Sequence, residues 1–219
     1  MPLRWGMVLK DFQCRVLENK SEQFSIEQHR WAALVGEPGF VAQCGGYEQG
    51  NRGWVQIFGL WNDIEAYRRF MGGVHDQVFE SGEQGACYID GKSTVYERVL
   101  DMPGVEADLV GAIGHRAALV RVARCWVHGD RIEHFVEMQR SVWKPGMCEA
   151  AGMLGGGFWR CVDHEDRVMV TTAWASVADH DRYRRKDFPA LCRKAKTVDD
   201  LITIEGSQVV LSPSWTVLG

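Results

Sequence analysis

Alternation and helical spacing divide the chain into a short series of elements that occurs twice. Between Met7 and Val16, the residues Val8, Phe12, Cys14 and Val16 fall on one face and Asp11, Gln13 and Arg15 on the other. That is the period-two pattern of a half-buried strand. Phe24, Gln28, Trp31 and Val35 then recur at helical spacing and predict a helix from about Ser21 to Val35, closed by Glu37-Pro38-Gly39. Phe40 to Tyr47 and Trp54 to Trp61 read as a hairpin around Gln49-Gly50-Asn51-Arg52-Gly53. Asn62 or Asp63 is placed to cap a helix running to Met71, with Ile64, Tyr67, Phe70 and Met71 inward. Gly72-Gly73 separates it from the further helical turn VHDQVF, and Ser93 to Val99 is the last strand. The order is β-α-β-β-α-β.

The second half repeats it. Ala118 to Val127 is a strand, and Arg131 to Trp143 a helix with Ile132, Phe135, Val136, Gln139, Val142 and Trp143 on one face. Lys144-Pro145-Gly146 is expected to break that helix. A hairpin follows (Leu154 to Val162, Arg167 to Trp174), then helices over Val177 to Lys186 and Phe188 to Lys196, and a closing strand from Glu205 to Leu211. Cys14, Phe24 and Gln28 map onto Cys125, Phe135 and Gln139 at a constant offset of 111, and Gly39 and Trp61 onto Gly152 and Trp174 at 113. Such a pairing predicts a duplicated unit of about a hundred residues, too long for a solenoid repeat. The expected domains are residues 1–100, a linker with a short helix over 101–117, and residues 118–219. The fold class is α+β: two fused ferredoxin-like repeats, whose sheets are expected to pack into one intramolecular barrel-like unit without exposed edges. Trp215, in the tail, is expected to pack back.

Composition narrows the function more than it defines it. With 25 basic and 29 acidic residues the net charge is −4, which gives no reason to expect a nucleic-acid groove or an anionic membrane surface. The seven cysteines lack the close pairs of a zinc site or disulfide framework, and a reducing cytoplasm is the simplest compartment. Neither a signal peptide nor a run of ~20 apolar residues is evident. Nine tryptophans are many for this length; they fill cores, and they also wall small-molecule cavities. The expected partner is therefore a small molecule, with no nucleic acid or membrane, and the chain is expected to be a monomer or homodimer.

His75, after Gly72-Gly73, is the sharpest chemical candidate, as a general base or as an axial haem ligand. Asp76 is not expected to partner it, because neighbours on a helix point about 100° apart. Gln139 and Gln28, amides within apolar stripes, either orient a carbonyl, dioxygen or water, or form a structural amide network. Trp31, Trp143, Trp61 and Trp174 either wall cavities or fill the core. His180 is read as a satisfied core residue and His134 as solvated; Cys14 and Cys125 as buried structural thiols. No metal-ligand spacing is present, and no cofactor is expected, with haem as the alternative.

The segments HFVEMQRSVWKPGM, GMLGG, VHDQVF and LDMPG resemble the YdbC-like family of uncharacterised bacterial proteins, from about Lys10 to Leu218. The family looks like a tandem version of the dimeric α/β-barrel superfamily. That superfamily includes antibiotic-biosynthesis monooxygenases acting without a cofactor, haem-degrading enzymes, haem-containing aldoxime dehydratases and small isomerases. The resemblance implies a fold, a cavity between sheet and helices, and monooxygenase-like or isomerase/dehydratase-like chemistry on a compact aromatic or carbonyl substrate. A non-catalytic ligand-binding module is the remaining alternative. No residue's role is carried across with it.

Overall fold

The computed structural model describes residues 6–115 and 117–219. The chain divides into two compact units, one containing residues up to Glu97 together with Val209–Gly219, the other Arg98–Gln208. The N-terminal residues 1–5, over which the absence of a leader was read, lie outside the described residues. Among the described residues no helix is long and apolar enough to cross a membrane.

The first unit opens with β1 (Val8–Val16), followed by α1 (Ser21–Gln28), which tightens into a 3-10 segment over His29–Leu34. β2 (Phe40–Glu48) and β3 (Trp54–Trp61) form the hairpin, and α2 (Ile64–Met71) and α3 (Val74–Glu80) follow. β4 (Tyr88–Pro103) belongs to this unit as far as Glu97. β1 pairs antiparallel with β3 and β4, and β2 with β3, giving the strand order β4-β1-β3-β2. This is the ferredoxin-like order, in which alternating residues of each strand face the helices.

α4 (Leu109–Gly114), capped by the Asp108 carboxylate, precedes the second copy, and β4 extends further than the sequence predicts because it stays paired up to Pro103. β5 (Leu119–Val127) is followed by α5 (Ile132–Met138), a π-helical turn over Gln139–Trp143, and α6 (Lys144–Cys148). β6 (Met153–Cys161), β7 (Arg167–Trp174), α7 (Val177–Lys186), α8 (Phe188–Ala195) and β8 (Leu201–Leu211) complete it. The order β8-β5-β7-β6 repeats that of the first unit. The end of β8 and the two-residue β9 (Val217–Leu218) pair with β2. Trp215 is buried there and donates from Nε1 to Ser25 Oγ at 2.9 Å.

Three local expectations change. Lys144-Pro145-Gly146 does not break the helix: the winding opens into the π turn over Gln139–Trp143 and continues as α6 with Pro145 in its first turn. His134 is not simply solvated, since its Nδ1 lies 2.7 Å from the buried carboxylate of Asp200, which also accepts from Arg131 Nε at 3.0 Å. His180 is buried as expected but only partly satisfied: its ring bonds the Gln208 side chain while Nδ1 has no protein partner, and burial first, then the nearby Arg121 charge, lowers its pKa to about 4.

The two halves share their joints atom for atom. Gly39 and Gly152 both have positive φ, +84° and +87°, and a Cβ on either would strike the helix behind it, at 2.4 Å from Ala66 Cβ and 2.5 Å from Asp179 Cβ. Their carbonyls accept from Asn62 N at 2.8 Å and Ala175 N at 2.9 Å, just before Asp63 and Ser176 cap α2 and α7. Gly36 shares the positive φ of +85° but has no neighbour within 4 Å of a would-be Cβ. Gly36→Ala is therefore expected to cost about 1–2 kcal/mol, the price of left-handed backbone alone. Gly39→Ala and Gly152→Ala should each cost roughly 1–3 kcal/mol more through overpacking. Urea unfolding of the three variants checks this; equal losses would show that close approach to the helix is not what selects glycine.

Candidate functional site

A cavity of about 240 Å³ lies in the first unit between the sheet and the segments α1, α2 and α3. Its sheet side follows from strand alternation. β1 contributes Lys10 and Phe12, and β3 contributes Ile57, Gly59 and Trp61. Gly59 is opposite Lys10 in one register and Gln43 of β2 in the other, so a lysine and an amide flank a residue without a side chain. A Cβ at Gly59 would meet only Trp61 Nε1, at 3.7 Å, so the space above it is open.

The helical side is set by the 3-10 winding of residues 29–34. At three residues per turn, Gln28, Trp31 and Leu34 line up on one edge, and all three border the cavity. Val35, expected inward from a 3.6-residue period, is instead 61% exposed. Trp31 is held by its Nε1–H donating to Gln84 Oε1 at 2.7 Å. The Gln28 side chain is fully buried, and neither its Nε2 nor its Oε1 has a protein partner. Gln43 Nε2 is likewise buried and unpartnered. In a protein interior each such group costs about 1–3 kcal/mol unless water or a ligand serves it.

His75 enters from the second residue of α3. Its ring stands 5.6 Å from Trp31, 5.5 Å from Phe70 and 6.0 Å from Phe79, the last nearly parallel. Nδ1 lies 2.9 Å from Asp76 Oδ1. The expectation that Asp76 would not partner His75 is thus overturned; the short aspartate side chain bends back to its neighbour. An ionised carboxylate only accepts, so the bond places the proton on Nδ1 and leaves Nε2 as the basic atom. Trp61 stacks on Phe70 at 4.6 Å and extends the aromatic wall.

Of the residues singled out in the sequence, Gln28, Trp31, Trp61 and His75 meet at this cavity. Gln139, Trp143 and Trp174 belong to the second unit and do not line it. There Trp143 and Trp174 join a packed apolar cluster with Phe135, Met147 and Phe158, and Trp174 Nε1 donates to Thr172 Oγ1 at 3.0 Å. The thiols of Cys14, Cys44 and Cys125 are buried, which pushes each pKa up to about 12 and keeps them protonated and unreactive at neutral pH.

Lys10 was not anticipated as a site residue. It is half-buried, and among the described residues no carboxylate lies within ion-pairing distance; its Nζ points to Met71 Sδ at 4.0 Å. Burial lowers its pKa from 10.5 to about 8. The signal was present in the strand: positions 8, 10, 12, 14 and 16 share one face, and Lys10 interrupts an otherwise apolar row.

The fold is shared with solved proteins over nearly the whole chain. A candidate monooxygenase from Fusobacterium nucleatum superposes with a TM-score of 0.76 at 11% identity, covering 95% of this chain and 94% of its own. One from Lactobacillus acidophilus gives 0.73 at 11% identity, with 97% and 96% covered. An anthrone oxidase-like protein gives 0.69 at 10% identity, with 94% and 91% covered. At such identities the likeness establishes the fold alone. In sequence, the family described as "Domain of unknown function (DUF4937)" matches residues 8–96. The uncharacterised protein YdbC of Bacillus subtilis is 33% identical over 93 residues, 42% of this chain and 78% of that protein. The chain belongs to the YdbC-like family.

A half-buried ammonium without a counter-ion should be a liability to the fold. Between pH 8 and 10.5 the unfolded chain binds more protons at Lys10 than the folded one, so this group makes stability rise with pH there, and its cost is full below pH 8. Lys10→Met is expected to raise stability at pH 7 by about 1–2 kcal/mol, an advantage that fades as pH climbs toward 10.5. Urea midpoints measured across that range test it, and a variant weaker than wild type at every pH would contradict the assignment.

Proposed function

We propose that the first unit binds a compact aromatic or carbonyl compound and removes an acidic proton from it, in the manner of a cofactor-independent monooxygenase. The carrying observation is one juxtaposition: the wholly buried, unpartnered amide of Gln28 and the His75 imidazole border the same aromatic-walled cavity. Gln28 both donates and accepts, so it suits a carbonyl or hydroxyl on a planar substrate. His75, its proton held on Nδ1 by Asp76, offers Nε2 to an acidic O–H or C–H. Trp31, Trp61, Phe70 and Phe79 supply flat apolar surface for the ring. The names given to the fold neighbours, monooxygenase and anthrone oxidase-like, support this choice over an isomerase or dehydratase.

In the oxygenase reaction the deprotonated, electron-rich carbon reacts with dioxygen. A ring methylene becomes a carbonyl, one oxygen atom staying on carbon and the other leaving as water with the two hydrogens. In an isomerase the same carbanion is reprotonated elsewhere.

Haem is the weaker alternative. The cavity of about 240 Å³ is smaller than the roughly 300–1,000 Å³ of sites for drug-sized ligands, and aromatic rings already flank His75.

Anthrone and dihydroxynaphthalene provide the test, with binding followed by tryptophan fluorescence and turnover by oxygen uptake. His75→Gln should lower kcat about 10²–10⁴-fold while retaining binding, and Gln28→Leu should weaken binding about tenfold, the loss of one to two hydrogen bonds. Added haemin should give no Soret band that depends on His75. Binding without turnover, indifferent to His75→Gln, would make the unit a ligand carrier and not an enzyme.

A further inference from the structure

We propose that this cavity is selective for an organic monoanion, its carboxylate or similar oxyanion end held at Lys10 and its flat body against the aromatic wall. The inference rests on the small-molecule reading of the cavity and specifies the charge of what it takes.

The argument is a surplus of donors. Lys10 Nζ has three N–H groups and no carboxylate within ion-pairing distance among the described residues; a thioether at 4.0 Å is a weak acceptor. Across the open position at Gly59, the buried Nε2 of Gln43 also has no acceptor, and neither has that of Gln28. Three side chains thus bring N–H groups to one space, where they outnumber the unpartnered oxygen of Gln28. The amide oxygens at the cavity do not balance them: Gln84 Oε1 already accepts from Trp31 and keeps one lone pair, and Gln28 Oε1, unpartnered, carries no charge to offset the ammonium. Buried donors and a buried charge remain in a fold when something else completes them. An oxyanion does both, providing several lone pairs and the missing negative charge.

The groups that face Lys10 add no anion at neutral pH. β1 itself sends Phe12, β3 sends Gly59 and Trp61, and α2 sends Met71. The remaining titratable groups on the cavity wall are His75 from α3 and Tyr88 from β4, the latter with its pKa raised by burial. A ligand anion would raise the lysine pKa from about 8, so binding under mildly alkaline conditions must draw in a proton.

The matched pair 2-naphthoate and 2-naphthamide separates charge from shape. Titration calorimetry on the full chain should show the acid binding at least tenfold tighter than the amide. At pH 8.5, about three quarters of Lys10 is neutral in the free protein, given its pKa of about 8. Heats in two buffers of different ionisation enthalpy should therefore report uptake of roughly 0.7 proton per naphthoate. Lys10→Met and Lys10→Gln should both abolish the preference and the uptake, whereas Tyr88→Phe and His75→Gln should keep the uptake. Equal binding of acid and amide to the wild type, or uptake that survives loss of Lys10, overturns the anion assignment while leaving the cavity a small-molecule site. If neither compound binds, the small-molecule reading falls with it.

Discussion

How tightly the chain winds after its first buried glutamine decides what the first unit can do. At Gln28 the helix passes from 3.6 to three residues per turn, so Gln28, Trp31 and Leu34 stand in one row and Val35 turns to solvent. A continued α-helix would have rotated Leu34 away and brought Val35 over the sheet. The corresponding stretch of the second unit deviates in the opposite sense. It opens into a π turn at Gln139, and the wider loop brings Val142 and Trp143 together into the apolar cluster. Two copies of one plan thus differ by the direction in which a single helix departs from ideal winding. One lines an open space with an amide; the other closes its core with an indole.

That difference explains what could be read in the sequence and what could not. Strand alternation, the β-α-β-β-α-β order and the doubling at offsets of 111 and 113 were legible because they depend on local periodicity and on glycines with special geometry. Gly39 and Gly152 carry the same backbone conformation and face the same helix position, so their spacing transmits real structure. The 3-10 and π turns were not legible. They are shifts of one residue in the hydrogen-bond partner, small in local free energy and settled by what packs against the helix. The Asp200 carboxylate beside His134 was hidden for another reason: the partners are 66 residues apart, and no local pattern joins them.

Lys10 is a different kind of miss. Its position on the apolar face of β1 is visible to anyone who counts by twos, yet one charge in a strand is easily assigned to a frayed edge. Here it lies at an interior register, between Gly59 on one side and Val95 on the other. The cost of keeping an ammonium there is compounded by the unpaired amides of Gln28 and Gln43. Natural sequences accumulate such local conflicts where function outweighs stability. Two glutamines and a lysine around one cavity make a stronger signal than any of them alone.

The second unit treats the same positions differently. At the positions matching Lys10, Gly59, Gln43 and His75 it carries Arg121, Thr172, Gly156 and Phe188. Arg121 reaches over Gly206 and donates to the Ser207 carbonyl at 3.4 Å, so one of its N–H groups has a protein acceptor. Thr172 fills the open position and takes the Trp174 N–H, and Phe188 packs 5.4 Å from Trp143 where the imidazole would stand. Arg121 and Thr172 make polar contacts, Phe188 adds apolar packing, and Gly156 removes an amide. The duplicated framework therefore carries two solutions at the same positions: one copy fills them with an indole and a phenyl ring, and the other leaves amides and an ammonium beside an open space.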